Sequence, residues 1–478
     1  MEDTFRSHTR SLEHFDKKEL EKQVKLIKQA SEVAQSKIDY ASAHDDNIIR
    51  AIEIIETFLR KKHRICYGGQ AINAHLPNKY KFYDPEYSIP DYDFFTPDQD
   101  NDIRMIVKDL RKAGFEEISA REGMHEGTVK IYVDYTPVAD ITQIHPTLYH
   151  ILSKREYRTD GISYMDANTL RMLMYLELSR PRGEVDRWPK VYERLLLFNE
   201  FAMKKPCQSN RNNFKTPLME EEVEYIIEYV IANKRIFAGA DLVEFYRQTV
   251  KGNKKYLDWI IKSHKPILFY SSEPEKDAKE IISELNFRDR VKESERGRKA
   301  IPYKIRVHSS KGAEILPGLH VISRGKEQLI FIVHQTACHS YFNVPIHSLK
   351  NELEVVLRIA SMDTLISLFF SLGLIQSKWL DMGSMECLAS QLVQITMKAR
   401  KKANQYIFPF ISILCSGHQT GLSSLIRSKV QRITSKRNKL KKLLEPTNNY
   451  NSKQIKYRNN KTIRNKRRNR SNRNNRDD

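Results

Sequence analysis

The segment Pro90-Asp91-Tyr92-Asp93-Phe94-Phe95 holds two carboxylates two residues apart in an apolar, extended stretch. On a strand, residues i and i+2 point the same way, so Asp91 and Asp93 share one face while Tyr92 and Phe94 turn to the core. Two like charges held that close are costly unless a cation neutralises them. Hard oxygen ligands select Mg²⁺ or Mn²⁺, and two such ions roughly 4 Å apart suit in-line attack at phosphorus. Upstream, Gly68-Gly69 offers backbone N–H groups without side chains, followed by a helical start, so a triphosphate can approach. A third carboxylate should come from a neighbouring strand. Asp134 and Asp140 both qualify; they are six apart, with Pro137 between them able to break the register.

The elements that must position these groups follow one another closely. Asp45 or Asp46 caps a helix over 45–62 whose stripe is Ile48, Ile52, Ile55 and Leu59. Then come a strand (64–67), the Gly-Gly turn, a helical turn (70–75), the carboxylate strand (91–95) and an amphipathic helix (102–115). Strands around 117–121 and from 128 to 144, the latter broken at Pro137, complete an α+β (mixed α/β) catalytic unit. Ahead of it, residues 14–40 read as a polar helix with Leu20, Val24, Ile27, Ala30 and Val33 at helical spacing. Beyond it, 168–256 is helical in pattern, strands return at 266–271, 303–307 and 328–334, and helical patterns fill 349–445. The chain divides into a helical segment (1–44), a catalytic unit (45–200), a second unit (201–445) and a basic tail (446–478) lacking the apolar residues to fold.

The second unit echoes the first. ISYMDANTLRMLMYLEL (162–178) is matched by IASMDTLISLFFSLGL (359–374) after deletion of two residues. Ile65 to Gly69 is paired with Leu268 to Ser272, and PVADITQI roughly with LIFIVHQT (329–336). The later copy has no Asp-x-Asp and no carboxylate opposite Asp140, so it reads as a duplicated fold that has lost its chemistry.

Tyr67-Gly68-Gly69, then Asp91-Tyr92-Asp93-Phe94-Phe95, then Val138-Ala139-Asp140-Ile141, resembles the polymerase-β-type nucleotidyltransferase superfamily. More closely, it is similar to the poly(A) polymerase catalytic subunits of nucleocytoplasmic large DNA viruses. The motifs span about 45–200, and the two-lobed layout extends the likeness to about 440. The resemblance implies a polymerase-β-like nucleotidyltransferase domain with a degenerate second lobe. It further implies template-independent transfer of AMP from ATP to RNA 3′ ends. Asp91 and Asp93 would hold two Mg²⁺ or Mn²⁺ ions, Asp140 would hold the catalytic one, and Gly68 and Gly69 would contact the ATP phosphates. VKIYVDYTPVADIT fits the family with Asp140 as the third carboxylate and Asp134 near the turn. The chain departs from the family in having Gly68-Gly69 where Gly-Ser is common, and in the aromatic insertion KYKFYDPEYS before Asp91. Arg180, Arg182, Arg187 and Lys190 lie near the expected hinge, and Arg187 and Lys190 are the candidates for binding nucleotide phosphates. Expected partners are the RNA 3′ end and ATP, with a homodimer or a processivity subunit. Expected locations are the virion and host cytoplasm. CCA addition, uridylation, cyclic dinucleotide synthesis and a non-catalytic RNA scaffold are the alternatives.

Charge supports a polyanionic partner. Of the formal +21, residues from Arg427 onward hold 19 Lys/Arg against Glu445, Asp477 and Asp478, a net +16. The five scattered cysteines read as free, mostly buried thiols rather than a disulfide framework or zinc site. The charged start and the lack of long apolar runs read as soluble and intracellular, with no membrane partner.

Overall fold

A computed structural model describes residues 17–202, 218–252, 267–297, 299–309, 315–347, 354–375, 382–399 and 411–445. Helix α1 (Lys17–Ala43) buries no residue, and its apolar stripe, including Val24, Ile27 and Val33, is exposed. Helix α2 (Asp46–Lys62) is capped by Asp45, whose side chain accepts from the N–H groups of Asn47 and Ile48. It buries Ile48, Ile52, Ile55 and Leu59, the stripe its 3.6-residue period sets out. There follow β1 (Ile65–Tyr67), α3 (Gly68–Ala74), β2 (Tyr92–Thr96), α4 (Gln99–Lys112), β3 (Ile118–Glu122), β4 (Thr128–Val133) and β5 (Thr136–Gln143). Then come α5 (Pro146–Ser153), β6 (Tyr157–Thr159), β7 (Ile162–Tyr164), α6 (Ala167–Leu178) and α7 (Trp188–Phe201). The strands form one seven-stranded sheet, ordered β3-β4-β5-β2-β1-β7-β6.

The later residues give α8 (Glu220–Ala232), β8 (Ile236–Phe237), α9 (Leu242–Lys251), β9 (Ile267–Ser271), α10 (Pro274–Glu295), β10 (Tyr303–His308), β11 (Leu319–Arg324) and β12 (Glu327–His334). Next are β13 (His339–His347), β14 (Glu354–Ala360), α11 (Met362–Leu372), α12 (Met382–Ala399), β15 (Cys415–Ser416) and α13 (Leu422–Leu444). Their sheet is ordered β10-β11-β12-β9-β8-β14-β13-β15. Strip off β15 and the two orders coincide strand for strand. The directions coincide too: β1/β2 and β8/β9 are antiparallel, β2/β5 and β9/β12 parallel, β1/β7 and β8/β14 parallel. The helices after the last paired strands, α6 and α11, pack on each other.

This topology confirms the duplication and corrects its alignment. The counterpart of β1 is β8, not Leu268 to Ser272, of which 268–271 belong to β9 and so match β2. The two-residue β8 sits between helices, too short for an alternating pattern to show. No deletion is needed later: Cys66 pairs with Tyr164 as Phe237 pairs with Ile359, which sets Asp166 opposite Ser361. Both are helix N-caps, of α6 and α11. Residues 354–360 also depart from the helical reading; this β-branched run is β14.

A buried ion pair is duplicated along with the strands. Arg64, just before β1, grips Asp102 of α4 through Nε and Nη2 at 2.8 and 2.9 Å. Arg235, just before β8, grips Asp277 of α10 at 2.8 Å through the same two nitrogens. Both aspartates are fully buried. The preceding residues, His63 and Lys234, take the left-handed conformation with φ of 50° and 52°.

The cysteines differ from expectation. Cys338 and Cys415, 77 residues apart, form a disulfide across the β13–β15 pairing, and Cys387 is also disulfide-bonded. Cys66 is a buried free thiol. The basic segment 446–478 lies outside the described residues, but the basic stretch from Arg427 begins within α13.

Candidate active site

Strands β2 and β5 are parallel neighbours with Asp93 opposite Asp140, so the pairing brings two distant carboxylates together. Asp91 stands one residue before β2, and oxygens of Asp91, Asp93 and Asp140 all lie within 4.8 Å of one another. Asp134 is not among them. It occupies the β4–β5 turn with φ of 47°, beside Tyr135 at 68°, an αL pair suited to a tight hairpin. The register shift beside Pro137 lies between Ile131 and Tyr132.

The cluster is short of positive charge. Burial, with Asp91 and Asp140 alongside, pushes the Asp93 carboxyl up to about 7. Burial also raises Asp140, against the pull of Lys130. That lysine, directly opposite Asp140 on β4, places Nζ 2.5 Å from Oδ2, while Oδ1 is buried with no partner. Lys130 was legible in VKIYV only as one polar position in an apolar strand.

The glycines are dictated by what surrounds them. Gly68 has φ of +71°, and a Cβ there would lie 2.4 Å from Asp93 Oδ2. A Cβ on Gly69 would lie 2.2 Å from the Tyr83 hydroxyl and 3.1 Å from an Arg194 guanidinium nitrogen. The departure from Gly-Ser thus has a cause in the insertion: Tyr83 brings its own hydroxyl to the space a serine side chain would fill. Arg194 Nη2 donates to that hydroxyl at 3.1 Å and stacks over Phe82, while Tyr80 stacks on Phe201. Sequence reasoning missed both Tyr83 and Arg194; the signal for Arg194 was its spacing from Arg187 and Lys190 along α7.

Of the hinge cations, Arg187 pairs with Glu177 at 3.2 Å and Glu184 at 3.3 Å, and its charge still reaches Asp93. Arg194 beside it holds the Lys190 ammonium below its usual range, while Asp91 acts in the opposite direction. Arg182 is exposed, and Arg180 lines a cleft of about 350 Å³ with His125, Glu177, Arg187, Gln419 and Leu425. Trp188 donates its indole N–H to the Glu177 carbonyl, which fixes the start of α7.

Residues 53–184 match the family model described as poly(A) polymerase catalytic subunit. A protein so named from Acanthamoeba polyphaga mimivirus is 27% identical over 221 residues, covering 43% of this chain and 36% of that protein. One from African swine fever virus (strain Badajoz 1971 Vero-adapted) is 29% identical over 116 residues, 24% of either chain. The alignments thus span about a third or less of these curated relatives. A crystal structure of the Megavirus polyadenylate synthase matches with a TM-score of 0.66 at 18% identity, covering 89% of this chain and 84% of that one. The fold is therefore shared across both sheets, and the resemblance to viral poly(A) polymerase catalytic subunits holds across the stretch that bears the carboxylates.

Proposed function

We propose that this chain transfers AMP from ATP to the 3′ end of RNA without a template. The observation that carries the reading is the convergence of Asp91, Asp93 and Asp140 within 4.8 Å, inside the stretch matching the viral polymerase family. In the reaction the 3′-oxygen attacks the α-phosphorus, the bond to the β-phosphate oxygen breaks, pyrophosphate leaves and the hydroxyl proton is released.

The residues fit divalent cations. The donors are hard carboxylate oxygens, one Asp140 oxygen is buried without a partner, and the ion pair described at Asp140 is with the Lys130 ammonium. Asp91 and Asp93 would hold both ions and Asp140 the one nearest the primer. Bound there, Mg²⁺ or Mn²⁺ would lower the pKa of the attacking hydroxyl and offset charge on the leaving pyrophosphate. Gly68 and Gly69 let phosphate approach the backbone. Arg187, Lys190 and Arg194 would balance triphosphate charge along one side of α7, and Tyr83 would orient it by a hydrogen bond.

The test is extension of labelled oligo(A) RNA by the purified chain with each NTP separately, in Mg²⁺ or Mn²⁺. ATP-selective extension is expected, with a loss of at least about 10³-fold in a variant carrying both Asp91→Ala and Asp93→Ala. Extension with a different nucleotide would keep the site and change the product. RNA binding without extension under any condition would leave a scaffold instead of an enzyme.

A further inference from the structure

The basic helix α13 returns from the second sheet to dock on the first, against β3 and α4. Its inner side is fastened by specific contacts. Arg432 donates to the Met124 carbonyl at 2.7 Å and to Glu122 at 3.3 Å, and Lys436 reaches the same carboxylate at 3.4 Å. Glu122 is 2% exposed, so these cations hold a buried charge in place. Lys439 adds a pair with Asp100 at 2.8 Å, near the start of α4.

The outer side is different in kind. Arg427, Arg437 and Lys441 are exposed there, and α13 contains no Asp, Glu or aromatic residue. From Arg427 to Lys441 the helix runs roughly 21 Å at its regular rise. One end of this run lies on the side of the fold that holds the carboxylate cluster. Lys429 is half-buried toward the sheet, and its charge reaches Asp140. Leu425, with Gln419 and Thr420 just ahead of the helix, lines the same cleft as His125 and Arg187.

We propose that α13 is a track for the phosphate backbone of the RNA strand, leading its 3′ end past Lys429 to the carboxylate cluster. The proposal rests on the nucleotidyl-transfer reading. Guanidinium and ammonium groups spaced along a helix grip phosphates, which carry no sequence information, so the hold does not depend on sequence, as a growing homopolymer requires. Stacking, the usual alternative for single strands, has no ring to use on this helix. The inner ion pairs keep the track rigidly aligned with the cluster, so the strand can advance while the helix stays put.

The test compares two full-length triple variants that each remove three positive charges. One is Arg427→Gln, Arg437→Gln, Lys441→Gln on α13; the other is Lys22→Gln, Lys25→Gln, Lys28→Gln on the exposed face of α1. Fluorescence anisotropy reads their affinity for labelled oligo(A) RNA across a salt series without ATP, and far-UV melting checks that both fold. The α13 variant should bind about 5–10-fold more weakly, with the slope of log K against log salt reduced by about 2. The α1 variant should stay within about twofold of the unaltered chain. Equal losses in both would reduce the effect to net charge and overturn the track. Unchanged RNA binding by the α13 variant, with loss of a protein contact instead, would overturn it in favour of a subunit-docking helix. Because binding is read without turnover, failure of the reaction and failure of the track are separable. A chain that binds along α13 but extends nothing loses only the reaction; one that extends RNA while the α13 variant binds normally loses only the track.

Discussion

The two sheets have the same strand order and directions, yet one gathers three carboxylates where the other is apolar. Setting Arg64 against Arg235 fixes the comparison, since each precedes its first strand by one residue. The registers then place Leu268 at the position of Asp93, Phe331 at that of Asp140 and Val321 at that of Lys130. All three are buried. Gly239-Ala240 stands for Gly68-Gly69, and a Cβ on Gly239 would meet the Phe237 ring at 2.5 Å. The difference separates what the fold needs from what the chemistry needs. Strand order, the αL residue, the Arg–Asp grip and the helix N-cap persist in both lobes. The carboxylates persist only where a cation could offset them, because an unpaired buried charge is a standing cost and an apolar side chain is a gain.

The sharpest way to break this comparison is to put the carboxylates into the second lobe. Leu268→Asp with Phe331→Asp gives two facing acids on adjacent strands, but with Val321 in place of a lysine. The expected outcome is loss of the cooperative unfolding transition, since each unpaired buried carboxylate costs several kcal/mol against a stability of about 5–15 kcal/mol. Thermal melting followed by circular dichroism, with and without Mg²⁺, reads it. A folded double variant that Mg²⁺ stabilises would mean that the second lobe lost only its ligands and not its room for a cation.

A second contrast tests whether the duplicated ion pairs are equivalent. Removing one partner leaves a fully buried aspartate without its guanidinium, which costs about 3–5 kcal/mol. Arg64→Ala and Arg235→Ala should therefore destabilise by similar amounts in urea unfolding. Extension activity, measured where both remain folded, should fall further for Arg64→Ala, because only that pair ties α4 to the strand leading into Gly68. Equal loss of activity would mean that the second lobe supports the cluster as directly as the first.

Legibility followed the range of the interactions. Asp91 and Asp93 could be read because strand alternation is a two-residue rule, and the α2 stripe because helical periodicity is local. Choosing Asp140 over Asp134 required the β2–β5 pairing, which only the Val138-Ala139-Asp140-Ile141 resemblance anticipated. Tyr83 and Arg194 were hidden because they meet Gly69 from 14 and 125 positions away along the chain. The disulfide at Cys338 was hidden for the same reason, and β8 because two residues cannot display a period. The apolar stripe of α1 was read correctly as helical, but periodicity alone does not reveal that it stays exposed.

The most local contrast lies at one position where the lobes differ by a single amide. The N-cap alignment sets Asn168 opposite Asp363. Asp363 is fully buried near Ser340, Ser361 and Thr364, and one of its oxygens has no hydrogen-bond partner. Burial pushes its carboxyl up to about 7 against the opposing hydrogen bonds from Ser361 and Ser340. A carboxyl whose folded pKa is raised carries no penalty while protonated in both states. It loses stability as pH climbs from about 4 to about 7, and the loss then stays constant. Asp363→Asn, which installs the first lobe's residue, should match the unaltered chain near pH 4. It should exceed that chain near pH 8 by on the order of 4 kcal/mol. Melting curves across that range measure the gap. A gap that does not widen with pH would show that Asp363 keeps its charge in the fold. The second lobe would then retain one stabilised buried carboxylate, and the contrast with the first would be one of position rather than of kind.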